Sequence, residues 1–520
     1  MFTKKTTLAI IALQLIVGLA VHNTAYAGGP LNPRRYTMPK TAELFNDRIT
    51  VRFSVADGKL LEKGTVPTEF DALFKKWGVR DFYKRFRGCE VPTQAFINGE
   101  RTVDLNPIFV LKVSAMTNLE AMINDFLQVN SVEYAEPIFW DKISVITNDP
   151  LVTGGQSYFL ENIDAYRAWN TTTGSSNVII ATVDSGTDID HPDLVDNFYR
   201  NPDEIPGDSI DNDRNGYIDD VIGWDFAGND FNNPSEDNNP GVTDDNNSHG
   251  VHVGGTSGAT GNNRLGVAGV AYGCKAMPIK ASADNDRRAS GSGFILGGYE
   301  GIAYAANNGA RVINCSFGSE QQSSASAEVI RFATVNRGAF IVAAAGNDNV
   351  QTPHYPSDLP FVFSVAALND TDRKAGFSNY SERVDISAPG VGILSTTFDN
   401  TYEQMSGTSM ASPIVAGVAG LLRSQYPWMT PAQVEAQLEA TADNIYNIAA
   451  NRNFINKLGA GRINANRALT ETFPAFQYRI TRAATSEGSP LVEDGDTIIL
   501  TGNVINMLFP SSSRAGMRIR

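Results

Sequence analysis

Short apolar runs alternate with stretches of helical spacing through the middle of this 520-residue chain. The runs are rich in β-branched residues, which is typical of strands that are buried on both faces of a sheet. They lie at 178–183, 276–281, 311–316, 339–345 and 361–367, and the helical stretches lie at 293–307, 326–336, 409–424 and 431–442. This alternation predicts an α/β fold with a doubly wound, mostly parallel sheet.

The region before this domain has a different pattern. Strand-like segments at 47–55, 109–114 and 131–139 surround one helical stretch at 117–127, whereas 56–105 carries no clear element. The order strand, strand, helix, strand predicts a small α+β domain. We therefore expect four regions, namely 1–27, a small domain at 28–147, the α/β domain at 148–470, and a β-rich extension at 471–520 in which 496–509 forms strand, turn, strand.

The N-terminus carries the pattern of an export signal. Lys4 and Lys5 precede an apolar stretch at 8–21, and A-Y-A at 25–27 provides the small residues of a cleavage site. An uncleaved membrane anchor is the alternative, but the apolar stretch is short for a membrane span. We therefore expect residues 1–27 to be a signal peptide and the protein to be secreted to the extracellular side.

Charge and cysteine content narrow the possible partners and fold types. The formal net charge is −15 and the isoelectric point is near 4.9. Nucleic acid and anionic membranes are therefore disfavoured as partners, because their phosphates repel an acidic protein. Three cysteines, Cys89, Cys274 and Cys315, are too few for a disulfide framework. We expect a monomer without disulfides.

Three motifs place reactive side chains at a strand end or a helix start. They are VDSGTDIDHPDL at 183–194 with Asp184, SHGVHVGGT at 248–256 with His249, and SGTSMASPIVAG at 406–417 with Ser409. A serine hydroxyl becomes an effective nucleophile when a histidine takes its proton and a carboxylate orients the histidine. Singly, a buried aspartate is usually structural, and a serine before a helix is usually a cap. Together, the three residues indicate a catalytic triad.

These motifs, in the order Asp, His, Ser, resemble those of the subtilisin-like serine proteases (subtilases) over residues 149–470. The resemblance implies a serine endopeptidase that hydrolyses peptide bonds through an acyl-enzyme on Ser409. It also implies that Asn347, at the end of FIVAAAGN, donates its amide to the oxyanion together with the N–H of Ser409. The helix after Ser409 is expected to hold Pro413 in its first turn, where a missing N–H costs little.

The resemblance also assigns a substrate cleft whose edges pair with an extended peptide as an added strand. The residues implied are Ser316, Phe317 and Gly318 on one edge, Gly291, Ser292 and Gly293 on the other, and Ala345 and Gly346 on a wall of the pocket for the P1 residue. His354 aligns with the base of that pocket and either lines it or points away. Because no carboxylate is committed to the pocket, we expect an apolar P1 residue of medium or large size.

Two structural Ca²⁺ sites are implied as well. The first resembles the high-affinity site of the family and would use Asp149, Asp193, the side chain of Asn263, and the carbonyls of Thr260, Leu265 and Val267. The second lies in an insertion between Asp184 and His249, where D-x-D-x-N-G at 211–216 matches the start of an EF-hand loop. Its expected ligands are Asp211, Asp213, Asn215 and the carbonyl of Tyr217, with Asp208 or Asp220 completing the shell. A solvated acidic loop is the alternative, and a true EF-hand is not expected because Ile222 occupies position twelve.

The small N-terminal domain resembles a subtilase propeptide, which inhibits its own enzyme until it is cleaved off. V-E-Y-A-E-P at 132–137 matches the last strand of such domains, and we expect autocatalytic cleavage between residues 139 and 149. The expected partners are polypeptide substrates and this propeptide. Two other functions stay open: a catalytically silent binding protein, which the complete triad disfavours, and a kexin-type processing protease, which the absence of an acidic P1 pocket disfavours.

Overall fold

The computed structural model describes residues 35–38, 44–94, 96–97, 100–139, 147–244, 248–286, 294–473, 476–485, 498–506 and 508. The chain forms two compact units, one holding the described residues up to 139 and the other those from 147 onward. The expected signal peptide at 1–27 lies outside the described residues. No helix in the described part of the chain is long and apolar enough to cross a membrane.

The first unit is an antiparallel sheet covered by helices. Its elements are β1 (Leu44–Phe53), α1 (Val55–Glu62), α2 (Thr68–Trp77), β2 (Asp81–Lys84), β3 (Phe96–Ile97), β4 (Glu100–Arg101), β5 (Ile108–Lys112), α3 (Leu119–Leu127) and β6 (Val132–Phe139). The main sheet has the order β2-β5-β1-β6. Phe53 on β1 packs edge-to-face on Phe70 of α2, with ring centroids 4.9 Å apart. The small α+β domain is therefore present, and 56–105, where the sequence shows no clear element, contains most of α1 and all of α2, β2, β3 and β4.

A seven-stranded parallel sheet forms the centre of the second unit. Its strands are β7 (Ile179–Asp184), β8 (Trp224–Asp225), β9 (Lys275–Lys280), β10 (Val312–Cys315), β11 (Phe340–Ala344), β12 (Val362–Leu368) and β13 (Ile386–Pro389). Their order is β13-β12-β11-β10-β7-β9-β8. On β10, Val312 packs into one hydrophobic cluster and Ile313 into another on the opposite face. Burial on both faces explains why these strands are continuous apolar runs, and it confirms the predicted α/β class.

Helices cover both faces of this sheet. In chain order they are α4 (Ser157–Asn162), α5 (Ala165–Ala168), α6 (Ser248–Gly258), α7 (Gly298–Asn307), α8 (Ser324–Arg331), α9 (Thr408–Gln425), α10 (Pro431–Ala440) and α11 (Ala465–Thr470). α9 packs with α6 on one face, whereas α7 and α8 cover the other. A hairpin of β14 (Ile393–Thr397) and β15 (Thr401–Met405) contacts α6. The small residues of α9 allow this central helix to lie close to the sheet.

The position of Pro413 differs from the prediction. α9 begins at Thr408, so Pro413 is an interior residue of the helix rather than part of its first turn. Having no N–H, Pro413 leaves the carbonyl of Ser409, four residues earlier, without its helical donor. The hydroxyl of Ser316 donates to that carbonyl over 2.8 Å and replaces the missing bond.

The C-terminal extension also corrects a prediction. Residues 498–506 form one continuous strand, β17, rather than strand, turn, strand, and this strand pairs antiparallel with β16 (Phe476–Thr485). Gly502, where a turn was expected, lies opposite Ile480 at a shift in register. A glycine inside a strand often marks such a bulge, and pairing with β16 provides more ladder bonds than a short local hairpin would.

Candidate active site

The carboxyl end of β7 and the first turn of α6 bring Asp184 and His249 together. Asp184 is 2 % exposed, and its Oδ1 accepts from the N–H of Ser185 over 2.7 Å. The same oxygen accepts from Nδ1 of His249, also over 2.7 Å. Because a carboxylate only accepts, Nδ1 carries the hydrogen and Nε2 is left as a base.

The protonation of His249 is set by two opposed effects. Burial lowers its pKa, but the negative charge of Asp184 and the hydrogen bond to it prevail, so the pKa is raised above its ordinary value. The side chain remains 39 % exposed, which leaves it accessible from solvent. A base with a raised pKa is well suited to take a proton from an alcohol near neutral pH.

Ser409 is the second residue of α9, at the positive end of the helix dipole. Its hydroxyl donates to the carbonyl of Ser316 over 3.1 Å, while the hydroxyl of Ser316 donates back to the carbonyl of Ser409. This reciprocal pair ties the start of α9 to the end of β10. No hydrogen bond joins Ser409 to His249 in this state, so the hydroxyl must leave Ser316 before His249 can accept its proton.

Asn347 follows β11 and is oriented by the same helix start. Its Oδ1 accepts from the N–H and the hydroxyl of Thr408, both over 2.9 Å. Within the described part of the chain its Nδ2 has no hydrogen-bond partner, and it lies 3.6 Å from the position of a Cβ on Gly407. The amide group is therefore held so that its N–H donors face the turn that carries Ser409.

The predicted cleft residues fall beside this centre where the structure describes them. Residues 316–318 directly follow β10, and residues 345–346 directly follow β11, the neighbouring strand. Both segments contact the start of α9. The opposite edge at 291–293 lies outside the described residues.

Comparison with known proteins agrees with this geometry. Residues 175–464 match the family model described as the subtilase family. The chain belongs to the subtilase family. It is a subtilisin-like serine endopeptidase, and polypeptides are its substrates.

Individual relatives match much of the chain. A thermophilic serine proteinase of Bacillus sp. (strain AK1) is 36 % identical over 361 residues, which are 69 % of this chain and 78 % of the relative. Thermitase of Thermoactinomyces vulgaris is 35 % identical over 322 residues, 62 % of this chain and 98 % of the relative. A solved protease from Pseudoalteromonas arctica PAMC 21717 superposes with a TM-score of 0.50 at 28 % identity, covering 62 % of this chain and 99 % of that one.

The first set of predicted calcium ligands is brought together in this subtilase. Asp149 and Asp193 are 2 % and 0 % exposed. Asp193 accepts from Nδ2 of Asn263 over 2.7 Å and from the N–H of Val267 over 2.8 Å, and Asp149 accepts from the N–H of Asn263 over 3.0 Å. The N–H of Thr260 donates to the carbonyl of Asp193. The N–H of Leu265 donates to Oδ1 of Asn263. Two buried carboxylates whose protein donors are neutral form an oxygen-rich set that suits Ca²⁺.

In the acidic insertion, defined here as residues 201–220, the structure brings together a set of carboxylates that only partly overlaps the predicted ligands. Glu204, Asp213 and Asp220 place carboxylate oxygens within 4.8 Å of one another. Asp211 and Asp208 are not part of this trio. Asp211 accepts from the N–H groups of Asn215 and Gly216, and Asp208 from that of Ile210.

Neutral donors hold this acidic trio in place. The side-chain amides of Asn201 and Asn215 each donate to both Asp213 and Asp220 over 2.9–3.0 Å. The hydroxyl of Tyr304 on α7 donates to Asp220 over 2.7 Å, and the ring of Tyr217 packs edge-to-face on that of Tyr304. Converging carboxylates whose protein donors are all neutral fit Ca²⁺, which prefers oxygen ligands. Glu204 was missed because it precedes the recognisable D-x-D-x-N-G spacing.

A buried lysine beside the catalytic strand was also missed. Lys280 pairs in register with Asp184, is 1 % exposed, and places Nζ 2.7 Å from carboxylate oxygens of both Asp225 and Asp284. Burial acts to lower the pKa of Lys280, but the two carboxylates outweigh it and keep the ammonium charged. Because Asp225 belongs to β8, this ion cluster fastens the chain that leaves the insertion to the sheet.

Proposed function

We propose that this subtilase is a secreted endopeptidase, made as a zymogen, in which Ser409 is the nucleophile, His249 the general base and Asp184 the group that orients it. The observation that carries the proposal is the 2.7 Å bond between Asp184 and Nδ1 of His249, which leaves Nε2 available as a base. The further assignments of Asn347, the cleft and the calcium ligands build on this centre.

Each residue has a defined role in the proposed reaction. Nε2 of His249 takes the proton of Ser409 as Oγ attacks the peptide carbonyl, and the imidazolium then gives that proton to the leaving amine. Asp184 stabilises the imidazolium. The oxyanion accepts hydrogen bonds from Nδ2 of Asn347 and the N–H of Ser409. Water then attacks the acyl group while Nε2 of His249 takes its proton, and the imidazolium returns that proton to Oγ of Ser409 as the acid is released.

Structural Ca²⁺ is part of the proposal. Subtilases generally bind calcium. The buried carboxylates of Asp149 and Asp193 beside Asn263, and the trio in the insertion, support sites in this chain. The first would use the residues around Asp149 and Asp193, with Thr260, Leu265 and Val267 contributing carbonyls. The second would use Glu204, Asp213 and Asp220. Bound Ca²⁺ neutralises these carboxylates and stabilises the folded chain, and no proposed ligand takes part in the chemical step.

The domain roles follow from the sequence patterns. Residues 1–27 act as the signal peptide, 28–147 as a propeptide that inhibits the enzyme, 148–470 as the catalytic domain and 471–520 as an extension. The separate compact unit that ends with β6 supports a removable domain. Cleavage by Ser409 of its own chain between residues 139 and 149 would release the mature enzyme.

Labelling and processing together test these proposals. A serine-directed phosphonate should modify Ser409 of the mature enzyme, and Ser409→Ala should accumulate as the full precursor when it is expressed alone. Ser406→Ala is the matched control, because this hydroxyl lies in the same motif but accepts from the N–H of Gly392. Labelling at another residue would contradict the mechanism. A normal mature N-terminus in Ser409→Ala would instead show that another protease performs the cleavage.

A further inference from the structure

A gap beside Ser409 has two walls that both contact the nucleophile's turn. The first wall, residues 316–318, is bound through its serine hydroxyl to the carbonyl of Ser409 over 2.8 Å. The second wall, residues 345–346, is bound through its glycine N–H to the hydroxyl of Thr408 over 3.1 Å. If a substrate carbonyl is held at Ser409, the side chain of that same residue, P1, must enter between these walls.

The ring of His354 fills the space between the glycines of the two walls. A Cβ on Gly318 would lie 2.1 Å from Cε1 and 2.6 Å from Nδ1 of His354. A Cβ on Gly346 would lie 3.0 Å from Cδ2 of the same ring. Distances below about 3.4 Å leave no room for a further carbon atom. The imidazole therefore points into the gap rather than away from it and lies against the glycines of both walls.

The backbone beside His354 is tied to the first wall. The N–H of Tyr355 donates to the carbonyl of Ser319 over 2.7 Å, and the N–H of Ser319 donates to the carbonyl of Tyr355 over 2.9 Å. This antiparallel bridge joins the residue after the first wall to the residue after His354. The hydroxyl of Ser357 also donates to the carbonyl of His354 over 2.7 Å. These bonds hold the backbone that carries the ring beside the first wall.

We propose that His354 shortens the P1 pocket, so that the enzyme selects small P1 residues such as alanine over aromatic ones. The inference rests on the proposed role of Ser409, and it revises the medium or large apolar P1 residue that the sequence favoured. A second ring placed in the gap would overlap the imidazole, and overpacking of this kind is destabilising. A difference of even one methylene in such a pocket changes kcat/KM by roughly 10- to 200-fold.

The test uses the mature enzyme and two chromogenic peptides that differ only in P1, alanine or phenylalanine. The wild type should favour alanine by at least about tenfold in kcat/KM. His354→Gly should raise kcat/KM for the phenylalanine peptide relative to the alanine peptide by at least about tenfold. His354→Gln keeps a side chain of similar size, so it should retain the wild-type ratio. His354→Ala repeats the opening in a second variant.

Any of three results would overturn the proposal. The first is a wild type that cleaves the phenylalanine peptide as well as the alanine peptide. The second is an unchanged ratio of the two kcat/KM values in folded His354→Gly and His354→Ala enzymes, and the third is a His354→Gln enzyme whose ratio moves toward phenylalanine. Active sites are counted by phosphonate titration, so that loss of folded enzyme is not mistaken for altered selectivity. If neither peptide is cleaved and Ser409 is not labelled, the proposed catalytic function itself fails.

Discussion

The catalytic centre and the acidic insertion at 201–220 both depend on buried carboxylates, but they balance the negative charge in different ways. In the catalytic centre, Asp184 is a single buried carboxylate that faces the ring of His249. In the insertion, three carboxylates converge within 4.8 Å, and their donors are neutral amides, backbone N–H groups and one hydroxyl. We infer that the first carboxylate acts on a histidine of the chain and serves the chemistry, whereas the second group requires a cation from solution and serves stability.

Replacing the catalytic carboxylate should have the largest effect. Asp184→Asn, matured in trans by wild-type enzyme, should lose about 10⁴-fold in kcat, because His249 loses its orienting acceptor. Its thermal midpoint should change little compared with this loss of activity. If kcat stays within about tenfold of wild type, Asp184 is not the group that orients His249.

The pH dependence of kcat/KM follows from the pair of Asp184 and His249. Only neutral His249 accepts a proton, so kcat/KM of the wild type should rise with pH and reach half its plateau above 6.5, since Asp184 raises the pKa of His249 above that ordinary value. In Asp184→Asn this rise should shift to lower pH, because the attraction that raised the pKa is gone. Profiles from about pH 5 to about pH 9 measure both. If the rise of kcat/KM at low pH is identical in the two enzymes, it reports the titration of a group other than His249.

Removing the proposed oxyanion donor should have the next largest effect. Asn347→Leu should lower kcat by about 10²–10³-fold with KM nearly unchanged, because the lost hydrogen bond forms in the transition state. The matched control is Asn349→Gly, two residues along the same loop. Its left-handed φ of 56° is accepted by glycine, and its Oδ1 binds Lys374 instead. A loss that appears mainly in KM would make Asn347 a substrate-binding residue rather than an oxyanion donor.

Neutralising two carboxylates of the acidic insertion should change the thermal stability of the enzyme without changing its kcat. In excess Ca²⁺ the double variant Asp213→Asn, Asp220→Asn should unfold several degrees below wild type, since a cation at about 100 times its Kd stabilises by about 2.7 kcal/mol. In the presence of a chelator the variant should unfold at a higher temperature than wild type, because it no longer holds like charges close together. Asp208→Asn is the control, with the same change of charge in the same loop but outside the trio. Calorimetry should show one fewer bound Ca²⁺ in the double variant alone.

A third carboxylate cluster extends the comparison, and a substitution in it should have the smallest effect on the enzyme. Asp385, Glu435 and Glu439 also converge within 4.8 Å, but no hydrogen bond from the described part of the chain reaches either glutamate. Burial, and then the charge of Glu435, raises the pKa of Glu439 to about 8. The folded state therefore holds this proton more tightly than the unfolded chain, and the resulting stability is lost as pH rises toward 8.

Glu439→Gln should remove the loss of folding stability that wild type shows as pH rises toward 8. The variant should unfold a few degrees higher than wild type at about pH 9 and at nearly the same temperature at about pH 5. Thermal unfolding at the two pH values measures the difference. An equal gain at both would mean that the residue acts through packing rather than through titration.

The order of elements and the placement of the reactive side chains could be predicted from the sequence. Asp184 ends an apolar run and Ser409 begins a small-residue helix, and both positions depend on local pattern alone. An apolar run that is buried on both faces identifies a central strand wherever it lies in the sheet. The α/β class, the small α+β domain and the subtilase family followed from signals of this kind.

Tertiary structure decided how residues far apart in the chain meet. Glu204 joins Asp213 and Asp220 although its spacing carries no motif, and Lys280 meets Asp225 because β8 lies beside β9. His354 fills a gap between two separate strand ends. The pairing of β17 with β16 likewise replaced a local turn. A sequence pattern records which face of an element is buried and where the element ends. It does not record which neighbour covers that face, because that depends on packing between elements that are distant in sequence.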